Sequence, residues 1–204
     1  MSVTAAVFAQ TAYDFRDDGL TYQQYDCIHF VNLVRTTCGL TTILNGTNSL
    51  WRSNQLYYKD TIANCIAQYG AVPQSALLFK CHPEGTPGYN SIPPRYNGDG
   101  IGNFSHVGIL TNLGQGVMQS GGYGGTGVHD SSYNWNWWTH VGFQPGVQLL
   151  DSNGDPIPLP SPGPTPDPGH EGMPNWFYLY YKQKHCKEVS QYGKNRFFIR
   201  SYRL

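Results

Sequence analysis

Apolar residues recur at helical spacing directly after Cys27. The positions three, four, seven and eleven residues further on are Phe30, Val31, Val34 and Cys38. They fall on one helical face, which ends before Gly39, and Asp26 stands just ahead of it as a typical N-cap residue. This pattern predicts a buried helix that begins at Cys27 and leaves the cysteine at its tip.

Apolar and other residues alternate in residues 105–112, where Val107 and Ile109 are separated by a single glycine. A second short segment of this kind covers residues 116–120. A period of two is typical of β-strands, so the two segments predict a pair of strands.

The segment between these strands suggests how they pair. If residues 111–114 form a four-residue hairpin loop, Leu110 pairs with Gln115 and, further from the loop, His106 pairs with Gln119. The side chains of His106 and Gln119 would then lie on the same face of the sheet.

A cysteine at a helix tip and a histidine on a strand are the components of a thiol hydrolase. The thiolate is the nucleophile, and it needs a base whose ring is oriented by a third polar group. Cys27, His106 and Gln119 would be nucleophile, base and orienting residue, with His129 or Asp130 as the alternative orienting residue. Purely structural roles for the cysteine and the histidine also stay open, because both residue types are often buried without function.

Three motifs resemble the NlpC/p60 family of papain-like cell-wall peptidases over roughly residues 10–145. They are Tyr25-Asp26-Cys27 followed by Phe30 and Val31, then Ser105-His106-Val107-Gly108-Ile109, and then Val117-Met118-Gln119. The resemblance implies an α+β, papain-like fold in which the helix bearing Cys27 packs on a small antiparallel sheet. It also implies Cys27 as nucleophile, His106 as base and Gln119 at the third position, where histidine is commonest.

The resemblance extends to the groups around the nucleophile. It implies an upstream tyrosine near the oxyanion site, for which Tyr13 is the nearest match, and it makes Tyr25 and Asp26 candidates for binding the oxyanion or substrate. Surface packing is the equally open interpretation of Tyr13. Ile28 and His29 stand where the family usually has serine and often has glycine, so the specificity of this chain is expected to differ.

By the same resemblance, the substrate is the stem peptide of bacterial peptidoglycan, cut between D-γ-glutamate and a diamino acid through an acyl-enzyme. Three other functions stay open: an N-acetylmuramoyl-L-alanine amidase of the CHAP type, an acyltransferase on the same scaffold, and a noncatalytic module that binds walls or virions.

Composition divides the 204 residues into three parts. Residues 1–150 are long enough for one catalytic domain, and residues 151–174 carry prolines at alternate positions, which predicts an extended linker. Residues 175–204 form a short aromatic tail. The segment 172–204 has 7 Lys and Arg against 1 acidic residue, whereas residues 1–171 have 6 against 12. The basic tail is expected to contact a wall polymer or its own acidic domain.

Several other classes are disfavoured. The 5 cysteines form no CxxC pair, and Cys65 with Cys81 and His82 lacks a fourth ligand, so neither a metal nor another cofactor is expected. Nucleic-acid binding is disfavoured because no recognisable module accompanies the basic residues, and no apolar run reaches the roughly 18 residues of a membrane span.

Residues 1–10 show no secretory signal, so delivery to the cell wall by a phage or prophage route, or a place in the virion, is expected. A leader trimmed from a longer chain is the alternative.

Two tryptophans, Trp135 and Trp137, alternate with asparagines. On a strand they would lie on one face, where they would either stack against sugars or pack in the core.

Overall fold

The computed structural model describes residues 2–121 and 126–158. In this part of the chain the α-helices are α1 (Ala5–Asp14), α2 (Cys27–Thr37), α3 (Thr47–Arg52) and α4 (Ile62–Tyr69). The strands are β1 (Val3–Thr4), β2 (Tyr58–Thr61), β3 (Leu77–His82), β4 (Asn103–Leu110), β5 (Gly116–Gly121), β6 (Gly127–Ser132), β7 (His140–Phe143) and β8 (Val147–Gln148). Short 3-10 turns span Phe15–Asp17, Pro87–Ser91 and Pro94–Tyr96.

Six strands form one antiparallel sheet in the order β2-β7-β3-β4-β5-β6, and β1 pairs with β8 in parallel. The helix α2 contacts β4 and β5, the two strands that carry His106 and Gln119. The expected α+β class, with helices and an antiparallel sheet, is therefore confirmed.

The predicted helix begins at Cys27, as its pattern indicated, and ends at Thr37. Phe30, Val31 and Val34 are fully buried, so the apolar face does pack into the core. The chain then turns at Gly39, whose φ of 73° is a left-handed conformation that glycine adopts without strain.

The predicted hairpin is present, but the predicted pairing of its two strands differs from the observed pairing by two residues. Leu110 pairs with Val117, and Gln119 lies opposite Gly108 rather than His106. The connection is longer than predicted because residues 111–116 form a loop closed by a backbone hydrogen bond from Thr111 to Gly116. A shift of two keeps every side chain on its original face, so His106 and Gln119 still lie on the same face.

The beginning of β4 is fixed by α3. The Asn48 side chain donates to Asn103 Oδ1 at 2.8 Å and accepts from the Phe104 amide at 3.0 Å, and the Thr47 hydroxyl donates to the Phe104 carbonyl. These bonds are buried and hold Asn103 and Phe104, three and two residues before His106, so they restrain β4 just ahead of the candidate base.

Residues 151–158, the first part of the expected linker, belong to the folded part of the chain. Ile157 is buried, and Pro156 forms a β-bridge with Leu150. The Asp151 carboxylate accepts from the amides of Asn153 and Asp155, which closes a tight turn. The rest of the linker and the basic tail lie outside the described residues.

No helix in residues 2–121 and 126–158 is long and apolar enough to cross a bilayer.

A buried arginine attaches the far end of α2 to the sheet. Arg35 is only 1% exposed, and its guanidinium donates to Thr41 O at 2.8 Å, Gln144 Oε1 at 2.7 Å and Pro145 O at 3.0 Å. Burial lowers its pKa to about 10, and within the described residues no carboxylate pairs with it. Carbonyl oxygens therefore hold α2 against the segment after β7.

Replacing Arg35 by alanine should lower the free energy of unfolding by about 3 kcal/mol or more, because it leaves a cavity and unpaired buried acceptors. Urea denaturation followed by circular dichroism measures the change. The control is Arg16→Ala, at an exposed arginine that pairs with Asp17 and lies over the Tyr13 ring, and it should cost less than about 1 kcal/mol. Equal losses for the two variants would contradict an anchoring role for Arg35.

Candidate active site

Asp26 fixes the position of Cys27. Its Oδ1 accepts from the backbone amides of Ile28 and His29, both at 3.0 Å, which makes it the N-cap of α2. The His29 ring nitrogen Nδ1 also lies 3.0 Å from the same oxygen. Just before the cap, the Ser120 hydroxyl of β5 donates to the Tyr25 carbonyl. Side chains therefore hold the tip of the helix on both sides of Cys27.

The thiol lies against β4 next to the candidate base. Cys27 is 6% exposed, and the backbone N–H of Val107, the residue after His106, points to its sulfur. In the described part of the chain no hydrogen bond joins this sulfur to the His106 ring. The Cys27 thiol thus lies within the influence of the Val107 amide, one residue from His106 along β4.

Burial raises the pKa of the Cys27 thiol to about 11, and the Asp26 carboxylate adds to the rise. The amide groups of Val107, Ile28 and Cys27 itself act in the opposite direction, but burial outweighs them. Cys27 is therefore a neutral thiol near pH 7 in the free protein.

Two tryptophans enclose His106. The Trp138 ring stacks on the imidazole at 5.6 Å with an interplanar angle of 24°, and the Trp137 ring meets it edge-on at 5.5 Å. The stack requires Gly108, because a Cβ there would come within 2.9 Å of the Trp138 ring and 3.0 Å of Val117 Cγ1. Burial lowers the pKa of His106, so its ring is neutral near pH 7.

Gln119 orients the imidazole and selects its tautomer. Its Oε1 lies 2.6 Å from His106 Nε2, and its Nε2 lies 2.6 Å from Ser131 Oγ, which donates in turn to the Val117 carbonyl. Since the serine proton is used in that bond, Ser131 accepts from the amide nitrogen, and the amide oxygen must face the ring. His106 therefore carries its proton on Nε2, and Nδ1 is left as the base.

Neither alternative orienting residue contacts His106. His129 lies opposite Gln119 in the sheet, but its Nδ1 bonds to the Gly127 carbonyl, and its charge only lowers the His106 pKa. Asp130 pairs with Met118 in the strand register, and its Oδ2 accepts from the Gln115 amide at 2.7 Å in the hairpin loop. The geometry assigns orientation of the ring to Gln119.

Tyr13 and Tyr22 differ in their surroundings. Tyr13 packs against the hairpin loop, where a Cβ on Gly114 would lie 2.8 Å from its hydroxyl. That loop lies beyond Leu110, about 10 Å along the strand from Val107. Burial raises the pKa of the partly exposed Tyr22, and the charges of Cys27 and Asp26 raise it further, so Tyr22 lies within electrostatic range of the helix tip.

The two residues that depart from the family pattern, Ile28 and His29, lie in different environments. Ile28 is buried and joins the hydrophobic core, while His29 stays at the surface and supports the Asp26 cap. Sequence reasoning did not identify Ser131, Trp138 or Tyr22 as parts of the site. For Ser131 the only available signal was its alternation with His129 along one strand.

The prediction that Trp135 and Trp137 share one face of a strand is wrong. Residues 135–137 form a turn, in which the amides of Trp137 and Trp138 donate to the Asn134 carbonyl. The turn separates the two indoles: Trp135 stacks on Tyr133 at 4.8 Å, and Trp137 packs beside His106.

No group of three or more His, Cys, Asp or Glu side chains that could hold a metal ion occurs within the described residues. Comparisons of the chain with protein-family models, with curated proteins and with solved structures each found no match. The function is therefore inferred from the geometry of the site.

The alkylation rate of Cys27 should keep rising as the pH increases from 7 to 10, because only the thiolate reacts and its pKa is about 11. Asp26→Asn retains a capping side chain but removes the negative charge, so it should speed alkylation at pH 8 by about two- to fivefold. Iodoacetamide labelling followed by peptide mass spectrometry measures Cys27 separately from the other cysteines. A rate that is already constant above pH 7 would instead indicate a preformed thiolate-imidazolium pair.

Proposed function

We propose that this protein is a cysteine hydrolase of the NlpC/p60 type, with a papain-like catalytic domain that cuts the stem peptides of bacterial peptidoglycan. The observation that supports this best is the 2.6 Å contact between His106 and Gln119, locked by Ser131, beside a cysteine at a capped helix tip. This contact occupies one ring nitrogen of His106, and within the described residues no hydrogen bond occupies the other, Nδ1, which leaves Nδ1 able to take a proton.

The mechanism follows from the neutral state of both groups. His106 Nδ1 removes the thiol proton as Cys27 attacks the peptide carbonyl, so the charged pair forms only during the reaction. The imidazolium is stabilised by the Gln119 oxygen at Nε2 and then protonates the leaving amine. Water attacks the acyl-enzyme with His106 as base and regenerates the thiol.

The developing oxyanion needs donors at the helix tip. The Asp26 cap binds the next two amides, and within the described residues no hydrogen bond joins the Cys27 amide to another residue, so we assign this amide as the first donor. The Tyr22 hydroxyl is the second donor that we assign, in place of Tyr13. By the family resemblance, the scissile bond follows D-γ-glutamate, and the chain acts at the bacterial wall, delivered by a phage or carried in a virion.

Cys27→Ala should abolish the release of new fragments from purified peptidoglycan, because the acyl-enzyme cannot form. The matched control is Cys38→Ala, at the other end of the same helix, which should leave the products unchanged. Mass spectrometry of digests from several wall chemotypes identifies the bond. Free alanine N-termini would instead assign the amidase, and faster transfer to an added amine than to water would assign the acyltransferase. Wall binding without fragments from the wild-type chain would contradict the hydrolase.

Gln119→Leu should lower kcat by about 10- to 100-fold with little change in KM, since the base loses its orientation. The Gln119 hydrogen bond raises the His106 pKa, so its loss should also move the acid limb of the pH profile to lower pH. Gln119→His keeps an acceptor and should restore most of kcat. A leucine variant with an unchanged pH profile would show that Gln119 has only a packing role.

A further inference from the structure

A groove of about 720 Å³ lies at the loop end of the β4–β5 hairpin. Residues that line it include Ile66, Leu110, Asn112, Gln115, Tyr133 and Trp135. Leu110 is four residues from His106, about 13 Å along the strand, so this groove is separate from the candidate active site.

The groove has an exposed aromatic wall. Tyr133 and Trp135 stack with ring centroids 4.8 Å apart and an interplanar angle of 29°, yet the two side chains remain 47% and 38% exposed. Stacked rings that are left open to solvent offer a flat apolar surface to a ligand with a flat apolar face.

The rest of the lining is uncharged and polar. None of the described residues that line the groove carries a formal charge, while Asn112 and Gln115 contribute amide groups. Asn112 has a φ of 54°, a left-handed conformation that asparagine tolerates better than most residues. Such a surface does not favour a stem peptide, which bears carboxylates and amines. It matches a neutral polyhydroxylated ring with an amide substituent.

We propose that this groove binds the glycan strand of peptidoglycan through an N-acetylhexosamine stacked on Trp135. The groove and the candidate active site are joined by the segment 133–138, whose Trp137 lies 5.5 Å from His106. Two extended stem residues span about 7 Å and their link to the sugar adds a few ångströms more, which approaches the roughly 13 Å between Leu110 and His106 along β4. If the groove is a subsite for the polymer that the chain cuts, that role rests on the proposed function. Binding of a glycan by the groove does not rest on it.

Titration of the full chain with tetra-N-acetylchitotetraose, followed by NMR shifts of the indole N–H signals, tests the proposal. The Trp135 signal should move on addition of the sugar. Trp135→Ala should weaken binding by about tenfold or more, and Asn112→Gly, which suits the left-handed backbone but lacks the amide, should weaken it as well. The control Leu44→Ala removes an exposed apolar side chain elsewhere and should leave the affinity unchanged.

Two substrates separate this proposal from the proposed function. With polymeric peptidoglycan, Trp135→Ala should raise KM about tenfold, while cleavage of a soluble stem peptide without sugar should be unchanged. Cleavage by the wild-type chain without any saturable sugar binding, or equal binding by wild type and Trp135→Ala, would overturn the groove assignment. Sugar binding that depends on Trp135, with no cleavage of either substrate, would support the groove and reject the hydrolase.

Discussion

The packing of α2 against β4 and β5 determines the geometry of the candidate site. The helix carries the nucleophile, and the two strands carry the base and the group that orients it, so any sliding of α2 would separate them. The Asp26 carboxylate fixes one end of the helix and the buried Arg35 guanidinium fixes the other. Between these two anchors Phe30, Val31 and Val34 are fully buried, and the buried Asn32 side chain bonds to the Ile43 backbone. The burial of apolar side chains stabilises the packing of α2 on the sheet, and the two polar anchors fix the position of the helix along the strands.

The electrostatics of the site follow from the same burial. A helix N-terminus and three backbone amides favour a thiolate, but the loss of solvation and the charge of Asp26 favour the thiol. The ring of His106, enclosed by tryptophan, loses its proton more readily for the same reason. The candidate site is thus a pair of neutral groups, and in the proposed mechanism the charged pair forms only when substrate binds. A neutral, buried thiol of this kind resists oxidation and alkylation.

Local patterns were sufficient to predict α2 and its cap, because helix periodicity and N-cap chemistry depend only on neighbours in sequence. The contact between His106 and Gln119 was also predictable, since strand alternation survives a register error of two residues. The register itself was missed because Asn112, Gly114 and Gly116 all adopt positive φ in a longer loop, which alternation does not encode. Ser131 and Trp138 were missed because their roles depend on contacts between segments that are distant in sequence.

Gly108 provides no chemical group to the site, yet its missing side chain admits the Trp138 ring that covers His106. The smallest residue of the strand thus sets the local dielectric of the base. An added methyl group there would displace the indole, let water reach the imidazole and raise its basicity. A residue without a functional group can in this way change the proton affinity of a neighbour through the space that it leaves.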